Sequence, residues 1–265
     1  MDGKGLRAKL HSGQRIFGTM TSVARNPAWA GVYARLGLDY VIVDSEHSPI
    51  GRGEAAAMAV AFAGVGICPI LRVPNTMPHE TIEGLDAGFH GVLVPYCEEP
   101  EEVRAVVAAA RLRPLKGAQH NQVRDGSYQL NETTKAYLDR RNADNVVMIG
   151  IESETAINNL EKILDVGGID VIFIGPNDLS ITLGVPDDYS NPKFVDAVEY
   201  IISTAAKRGI AAGGHWFRED IVQHWMSRGS RFILYHSDAS ALIEGYRASL
   251  DRIRGTASEE EAQTL

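Results

Sequence analysis

Acidic, basic and cationic side chains occur in four short stretches of this chain, each at the end of an apolar run. The stretches are Val43-Asp44-Ser45-Glu46-His47, Leu71-Arg72-Val73-Pro74, Gly150-Ile151-Glu152-Ser153 and Ile174-Gly175-Pro176-Asn177-Asp178-Leu179. The runs are too short for helices, and helical patterns follow them. Where strands and helices alternate, ligands bind at the carboxyl ends of the strands. The pattern therefore predicts an enzyme whose polar residues lie on one rim.

Two carboxylates in these stretches are candidate metal ligands. Glu152 and Asp178 follow the fifth and sixth apolar runs, and neighbouring strands of a barrel would bring both side chains to one ion. Two carboxylates leave positions of an octahedral Mg²⁺ or Mn²⁺ ion open for water and substrate oxygens. The spacing fits an alternative equally, in which Glu152 caps a loop and Asp178 caps the following helix.

A base, a cation and an acid complete the candidate catalytic set. His47 follows Glu46, and a neutral imidazole held by a carboxylate is a competent general base. Arg72 ends a core strand, where an unpaired guanidinium is costly, so it must meet either an anionic ligand or Asp44 or Glu46 in a structural ion pair. Asp86 lies near the end of a predicted helix, where its charge opposes the helix dipole and indicates a specific partner.

The turn Gly175-Pro176 leaves the backbone amides of Asn177 and Asp178 free at a predicted helix start. Free amides at a helix start suit a small carboxylate. The alternative is an ordinary strand-to-helix loop, which needs no ligand.

Eight strand-sized apolar runs alternate with helical patterns along the chain. The runs are Arg15–Met20, Tyr40–Asp44, Ile67–Val73, Gly91–Pro95, Val146–Glu152, Val171–Ile174, Ile210–Gly214 and Arg231–Tyr235. The helical segments include Glu54–Ala63, Pro78–Ala87, Pro100–Arg111, Thr155–Val166 and Pro192–Lys207. Continuous Val/Ile/Leu runs are typical of buried parallel strands, and no Gly-x-Gly-x-x-Gly loop follows the first strand. The predicted fold class is therefore α/β, a (β/α)₈ TIM barrel rather than an open sheet.

The predicted barrel is a single domain, residues 1–255, with an inserted loop at 113–145 that contains a short helix near Thr133–Arg141. A long polar connection is either a lid or subunit contact or a solvated insertion. The glutamate-rich residues 256–265 are predicted to be a disordered tail.

Composition limits the partners. With 45% hydrophobic residues, a net charge of -8 and no Lys/Arg-rich block, the chain is predicted to bind a small molecule rather than nucleic acid. Cys68 and Cys97 lie in or beside apolar runs, as expected for reduced core thiols. A polar N-terminus and the absence of a bilayer-length apolar segment predict no membrane contact and a cytoplasmic location.

Several of these motifs, in this order, resemble the HpcH/HpaI aldolase family of metal-dependent class II pyruvate aldolases. They are Asp44-Ser45-Glu46-His47, Arg72-Val73-Pro74, Leu85-Asp86-Ala87-Gly88, Leu93-Val94-Pro95, Ile151-Glu152-Ser153 and Gly175-Pro176-Asn177-Asp178-Leu179. The resemblance covers about Gly18 to Asp238. It implies a (β/α)₈ barrel that cleaves 4-hydroxy-2-oxo acids to pyruvate and an aldehyde, and that forms homo-oligomers, trimers or hexamers built from trimers.

The resemblance also implies roles for the residues. A Mg²⁺, Mn²⁺ or Co²⁺ ion is expected on Glu152 and Asp178, with Arg72 adding positive charge at the enolate oxygen. His47, oriented by Asp86, is expected to manage the proton of the C4 hydroxyl. The resemblance further implies substrate binding by Gly175, Pro176, Asn177 and Asp178, and support of Arg72, His47 or the metal waters by Asp44 and Glu46. Substrate binding by His215 is a separate hypothesis, because this residue departs from the family pattern.

Three features depart from the family pattern. Gly150 stands where relatives often have Gln, and the segment 112–119 has no arginine at the position where the corresponding family motif has one. His215 and His236 stand at the ends of the seventh and eighth strands, where relatives tend to have aliphatic and small residues. They are predicted to face the rim and make the pocket more polar, or else to pack in the barrel mouth or at a subunit contact.

Other functions fit the same site. A decarboxylase of oxaloacetate-type acids or a lyase of CoA esters would share the metal and the arginine. A binding barrel without turnover is the alternative from a different class, and it predicts ligand binding that needs no metal.

Overall fold

The computed structural model describes the backbone of residues 1–263 and the side chains of residues 1–255. Eight parallel strands close into a barrel in sequence order, with β8 paired to β1. The strands are β1 Ile16–Thr21, β2 Tyr40–Asp44, β3 Cys68–Arg72, β4 Gly91–Val94, β5 Val146–Ile151, β6 Val171–Ile174, β7 Ala211–Trp216 and β8 Phe232–Ser237. Each predicted strand overlaps an observed one, so the predicted (β/α)₈ fold is confirmed.

Helices cover the outside of the barrel and its amino-terminal end. They are α1 Gly3–His11, α2 Ala30–Tyr33, α3 Arg52–Gly64, α4 Pro78–Asp86, α5 Pro100–Arg111, α6 Gly117–Arg124, α7 Glu132–Arg141, α8 Glu154–Asn158, α9 Leu160–Asp165, α10 Pro176–Thr182, α11 Pro192–Lys207, α12 Glu219–Ser227 and α13 Asp238–Gln263. Within residues 1–263, none of the helices combines the length and the apolar character that a membrane span requires.

The helix predicted over Thr155–Val166 is in fact two short helices, α8 and α9, that meet at Asn159. The side-chain amide of Asn159 donates a hydrogen bond to the carbonyl of Glu98 at 3.0 Å. An asparagine side chain that bonds to backbone elsewhere favours caps and turns over helix interiors. The segment 113–145 contains α6 and α7, of which only α7 was predicted. The predicted tail, 256–265, lies outside the residues whose side chains are described.

Side chains fill the barrel interior, so the interior is a packed core and not a channel. Tyr40, Ile70, Leu93 and Phe232 are fully buried there, and the Tyr40 hydroxyl donates a hydrogen bond to the Ile233 carbonyl at 2.7 Å. A second core lies between the strands and the outer helices. Both cysteines are buried free thiols, as predicted. Because the interior is closed, ligands have access only at the strand ends.

A buried ion cluster closes the amino-terminal end of the barrel. The Asp170 carboxylate is 3% exposed and accepts hydrogen bonds from Arg7 at 2.9 Å and Arg111 at 2.7 Å. It also lies 3.2 Å from the His11 ring. Burial opposes ionisation of Asp170, but the His11 hydrogen bond and the charges of Arg111 and Arg7 lower its pKa to about 2.

Replacing Asp170 tests how much this cluster stabilises the fold. Asp170→Asn leaves two partly buried guanidinium groups without their carboxylate, so we expect the free energy of unfolding at pH 7 to fall by about 1–3 kcal/mol. Asp165→Asn is the matched control, because that carboxylate is 68% exposed beside Arg208 and exposed pairs contribute little. Urea unfolding of both variants gives the comparison, and equal stabilities would contradict the role of the cluster.

The lowered pKa of Asp170 predicts that the free energy of unfolding depends on pH. A carboxyl group whose pKa is lowered in the folded state stabilises that state above its unfolded pKa. The contribution of Asp170 is therefore complete above about pH 5 and is lost as the pH falls from about 4 through about 2. Unfolding curves should show this loss in the wild type, whereas in Asp170→Asn that component should be absent.

Candidate active site

The carboxyl ends of the strands surround an open cavity of about 600 Å³. The predicted site residues that line it are Asp44, His47, Arg72, Glu152, Gly175, Pro176, Asn177, Asp178 and His215. Glu46 stands directly behind, in contact with Arg72. Two other predicted residues, Asp86 and His236, do not line this cavity.

Arg72 is held rigidly by two carboxylates. Its Nε and Nη2 atoms each lie 2.8 Å from an oxygen of Asp44, and its Nη1 atom lies 3.1 Å from Glu46 Oε2. Asp44 and Arg72 are register partners at the ends of β2 and β3, which makes the bidentate pair possible. The ion pair considered from the sequence is thus present, and the guanidinium still borders the cavity.

The loop after β2 is folded around the same carboxylate. Burial opposes ionisation of Asp44, but hydrogen bonds from Arg72 and from the amides of Glu46 and His47 lower its pKa. These amides are 3.0 and 3.3 Å from Asp44 Oδ1. The His47 side chain is 66% exposed, and its Nε2 atom is 3.6 Å from Glu46 Oε2. The imidazole is therefore accessible to a ligand beside a carboxylate.

Glu152 is a buried carboxylate in a slot that glycine makes. It is 4% exposed, and a Cβ atom at Gly175 would lie 2.8 Å from its Cδ atom, while one at Gly150 would lie 2.8 Å from its Oε1 atom. The backbone amide of Tyr96 donates a hydrogen bond to it. A larger residue at position 150 would therefore require the Glu152 carboxylate to take a different position.

The environment of Glu152 disfavours its negative charge. Burial is the main cause, repulsion by Glu46 and Asp178 adds to it, and attraction by Arg72 opposes it, so that the pKa of Glu152 rises to about 8. Burial and the neighbouring carboxylates Asp44 and Asp178 likewise raise the pKa of Glu46. The negative charge of the carboxylates at this rim thus exceeds the positive charge that Arg72 supplies.

Asp178 lies in the first turn of α10, and the N-cap of this helix, Gly175, has no side-chain hydrogen bond. The Asn177 side-chain amide donates a hydrogen bond to Asp187 at 3.0 Å. Asp178 itself lines the cavity and is close enough to Glu152 to repel its charge. The predicted alternative, Asp178 as the side-chain cap of this helix, is not found in the structure.

The donor set fits a hard divalent cation. Glu152 follows β5 and Asp178 lies in the first turn of α10, after β6. Both border the cavity where negative charge is in excess, which is the environment such an ion stabilises. Among the described side chains, no group of three or more His, Cys, Asp or Glu residues could hold a metal ion. The remaining positions of an ion would therefore belong to water and substrate.

Asp86 is not close to His47 within this chain. It is the last residue of α4, its side chain is 63% exposed, and it forms an ion pair with Arg113. It borders a separate depression behind the loop after β2. Asp86 thus has the specific partner that its position indicated, but the partner is a cation of the 113–145 segment. Sequence spacing alone could not select Arg113 among the arginines of that segment.

The histidines of β7 and β8 have different places. His215 lines the cavity, whereas His236 is held outside it by Ser240 and Glu244. The sequence reasoning missed the contribution of the loop after β1, which brings Ser22, Val23 and Arg25 to the cavity. The Asp238 carboxylate holds that loop through the amide of Val23 at 2.9 Å. The acidic residue Asp238, shortly after the eighth apolar run, was the available signal.

Comparison with known proteins identifies the family of this chain. The family model described as HpcH/HpaI aldolase/citrate lyase matches residues 19–245. The chain therefore belongs to the HpcH/HpaI aldolase/citrate lyase family, and the resemblance found in its motifs is confirmed.

Two of the relatives with named activities are aldolases. The hydroxypyruvate/pyruvate aldolase of Sagittula stellata is 31% identical over 245 residues, which are 89% of this chain and 92% of the relative. The 5-keto-4-deoxy-D-glucarate aldolase of Shigella boydii is 29% identical over 219 residues, covering 82% and 84% of the two chains. A solved family protein from Burkholderia cenocepacia, 25% identical, matches with a TM-score of 0.82 over 95% of this chain and 99% of its own. These names support a lyase activity.

The glycine slot gives a direct test of the site's packing. Gly175→Ala places a methyl group against the Glu152 carboxylate, and overpacking of this kind costs about 1–3 kcal/mol. Gly64→Ala is the control, because Gly64 ends a helix and a Cβ atom there meets no neighbour within 4 Å. We expect urea unfolding to show lower stability for Gly175→Ala and unchanged or higher stability for Gly64→Ala. A Gly175→Ala protein as stable as the control would show that the slot has room.

Proposed function

We propose that this protein is a divalent-metal-dependent class II aldolase. It cleaves a 4-hydroxy-2-oxo acid reversibly to pyruvate, or a related 2-oxo acid, and an aldehyde. The main support is the buried Glu152 carboxylate, with Asp178 and a fixed guanidinium beside it. The carboxylates there carry more negative charge than one guanidinium balances, and the cavity has room for substrate oxygens. The aldolase names of the relatives agree with it.

The proposed chemistry needs positive charge beside the substrate oxygen where negative charge develops, and it needs one base. Mg²⁺, Mn²⁺ or Co²⁺, held by Glu152 and Asp178, would supply Lewis-acid stabilisation of negative charge. Arg72 contributes a second positive charge at the C2 oxygen, and Asp44 and Glu46 keep the guanidinium from rotating away. Such preorganised charge is most effective when it points at the atom where charge develops.

His47 is the proposed base. In the cleavage direction it accepts the proton of the C4 hydroxyl, the C3–C4 bond breaks, and the electron pair passes to the C2 oxygen as the enolate forms. Protonation at C3 then gives the 2-oxo acid. The backbone amides of Asn177 and Asp178, at the start of α10, are proposed to hold the substrate carboxylate.

The proposed role of Asp86 depends on the formation of an oligomer. Because Asp86 lies outside the cavity of its own chain, a role at His47 requires a second copy of the chain. The exposed side chains of Leu242, Ile243 and Tyr246 on α13, each more than half accessible, support association into a trimer or hexamer. A cytoplasmic location and small-molecule partners, without nucleic acid or membrane, remain predictions.

The activity test combines pyruvate with a panel of aldehydes, with added Mg²⁺, Mn²⁺ or Co²⁺ and with EDTA. We expect condensation that EDTA abolishes and that divalent metal restores. Decarboxylation of oxaloacetate and cleavage of CoA esters are measured in parallel. Faster turnover of either substrate would replace the aldolase assignment, and metal-independent binding without turnover would indicate a binding barrel.

Two variants connect the activity to the site. Glu152→Gln removes a proposed metal ligand and Arg72→Lys removes the bidentate fork, and each is expected to lower kcat at least about 100-fold. Glu154→Gln is the matched control, because Glu154 lies two residues away in α8 and its side chain is 55% exposed beside Lys193. Loss of activity in the control to the same degree would contradict the assignment.

A further inference from the structure

His215 is a polar group of the cavity that the proposed chemistry does not use. It lies near the end of β7 and lines the cavity with Arg72 and Glu152. Its Nε2 atom is 3.0 Å from the backbone carbonyl oxygen of His236. A carbonyl oxygen only accepts hydrogen bonds, so Nε2 must be the ring nitrogen that bears the proton.

The carbonyl that fixes this proton is itself held by an irregularity of β8. The register between β1 and β8 shifts between Gly18 and Met20, and His236 adopts a φ of 56°, a left-handed conformation that is uncommon for a non-glycine residue. The same carbonyl accepts a hydrogen bond from Thr19 Oγ1 at 3.1 Å. The ring of His236 is anchored by Ser240 at 3.1 Å and Glu244 at 2.6 Å. His236 thus supports His215 from outside the cavity.

The second ring nitrogen of His215 is a hydrogen-bond acceptor. Burial lowers the pKa of His215 to about 4, and the charge of Arg72 acts in the same direction, so the imidazole is neutral and Nδ1 carries a lone pair. Among the described residues no hydrogen-bond partner of Nδ1 is found, and Nδ1 is not one of the buried polar atoms without a partner. The Phe217 ring, with its centroid 4.4 Å away, packs against the imidazole. Nδ1 is therefore accessible from the cavity.

We propose that His215 Nδ1 accepts a hydrogen bond from a substrate hydroxyl group, so that the enzyme selects hydroxylated substrates over their deoxy analogues. The inference rests on the proposed function, because the substrates of an aldol reaction offer hydroxyl groups as their hydrogen-bond donors. A neutral acceptor suits this cavity, since another carboxylate would add to the repulsion around Glu152. The hydroxyl belongs either to the aldehyde, on the carbon next to the carbonyl, or to C3 of the 2-oxo acid.

Two pairs of substrates distinguish these sources. Glycolaldehyde and acetaldehyde, each with pyruvate, test a hydroxyl on the aldehyde. Hydroxypyruvate and pyruvate, each with acetaldehyde, test a hydroxyl on the 2-oxo acid. We expect wild-type kcat/KM to favour the hydroxylated member in one of the two pairs. No preference in either pair would overturn the proposal.

Two isosteric variants separate the functions of the two ring nitrogens. His215→Gln places an amide donor where Nε2 was and keeps the bond to the His236 carbonyl, but it has no acceptor at the Nδ1 position. His215→Asn places a carbonyl acceptor near the Nδ1 position. We expect His215→Gln to reduce the preference for the hydroxylated substrate about tenfold, the effect of one hydrogen bond, because kcat/KM falls more for the hydroxylated substrate than for the deoxy substrate. His215→Asn should retain part of the preference.

The exposed His79, whose side chain is 71% accessible, gives the control variant His79→Gln. An equal fall in kcat/KM for both substrates in His215→Gln would indicate a structural role for His215 and overturn the proposal. So would an unchanged preference. A wild type that converts acetaldehyde and pyruvate but ignores hydroxyl groups refutes this inference alone and leaves the aldolase function intact.

A binding measurement keeps the inference testable without turnover. Calorimetry of hydroxypyruvate and pyruvate, with Mn²⁺ present throughout, gives the affinity ratio of the two acids for wild type and His215→Gln. ¹⁵N NMR of the histidine rings should show His215 as a neutral ring protonated at Nε2, with an Nδ1 resonance that moves on binding of the hydroxylated ligand. A proton on Nδ1, or an Nδ1 resonance that no hydroxylated substrate moves, would contradict the proposal. Absence of aldol activity would instead count against the proposed function.

Discussion

Excess negative charge at the carboxyl ends of β2, β3, β5 and β6 is the constraint on which the site depends. Asp44, Glu46, Glu152 and Asp178 converge near Arg72, and one guanidinium does not neutralise them. Burial makes the imbalance expensive, as the raised pKa of Glu152 shows. An arrangement of this kind is stable only when a proton or a cation is bound. The open cavity beside it has room for a cation and for substrate.

The barrel converts this constraint into fixed geometry. Register pairing of Asp44 with Arg72 in β2 and β3 sets the bidentate contact, and the glycines beside Glu152 leave space for its carboxylate alone. The packed interior and the Asp170 cluster close the opposite end. The irregular register of β8 then aims one carbonyl at His215. The proposed catalytic groups and the proposed specificity group thus come from different strands around one rim.

Local sequence patterns were sufficient for the fold and for part of the candidate site. Apolar runs predicted the strands, and Asp44, Arg72, Glu152 and Asp178, which follow or end four of these runs, line the cavity. Long-range pairing was not accessible in this way. The partner of Asp86 is Arg113, 27 residues away, and the different positions of His215 and His236 follow from a register shift that no local pattern records. The contacts of Gly150 and Gly175 with the Glu152 carboxylate are likewise not visible in a local pattern, because Gly175 follows the next strand.

The most direct test is anomalous X-ray diffraction from crystals of this protein soaked in Mn²⁺. The account predicts an anomalous peak between the carboxylates of Glu152 and Asp178, and its loss in Glu152→Gln crystals of the same form. A wild-type map without a peak at that position, at Mn²⁺ concentrations that support turnover, would contradict it.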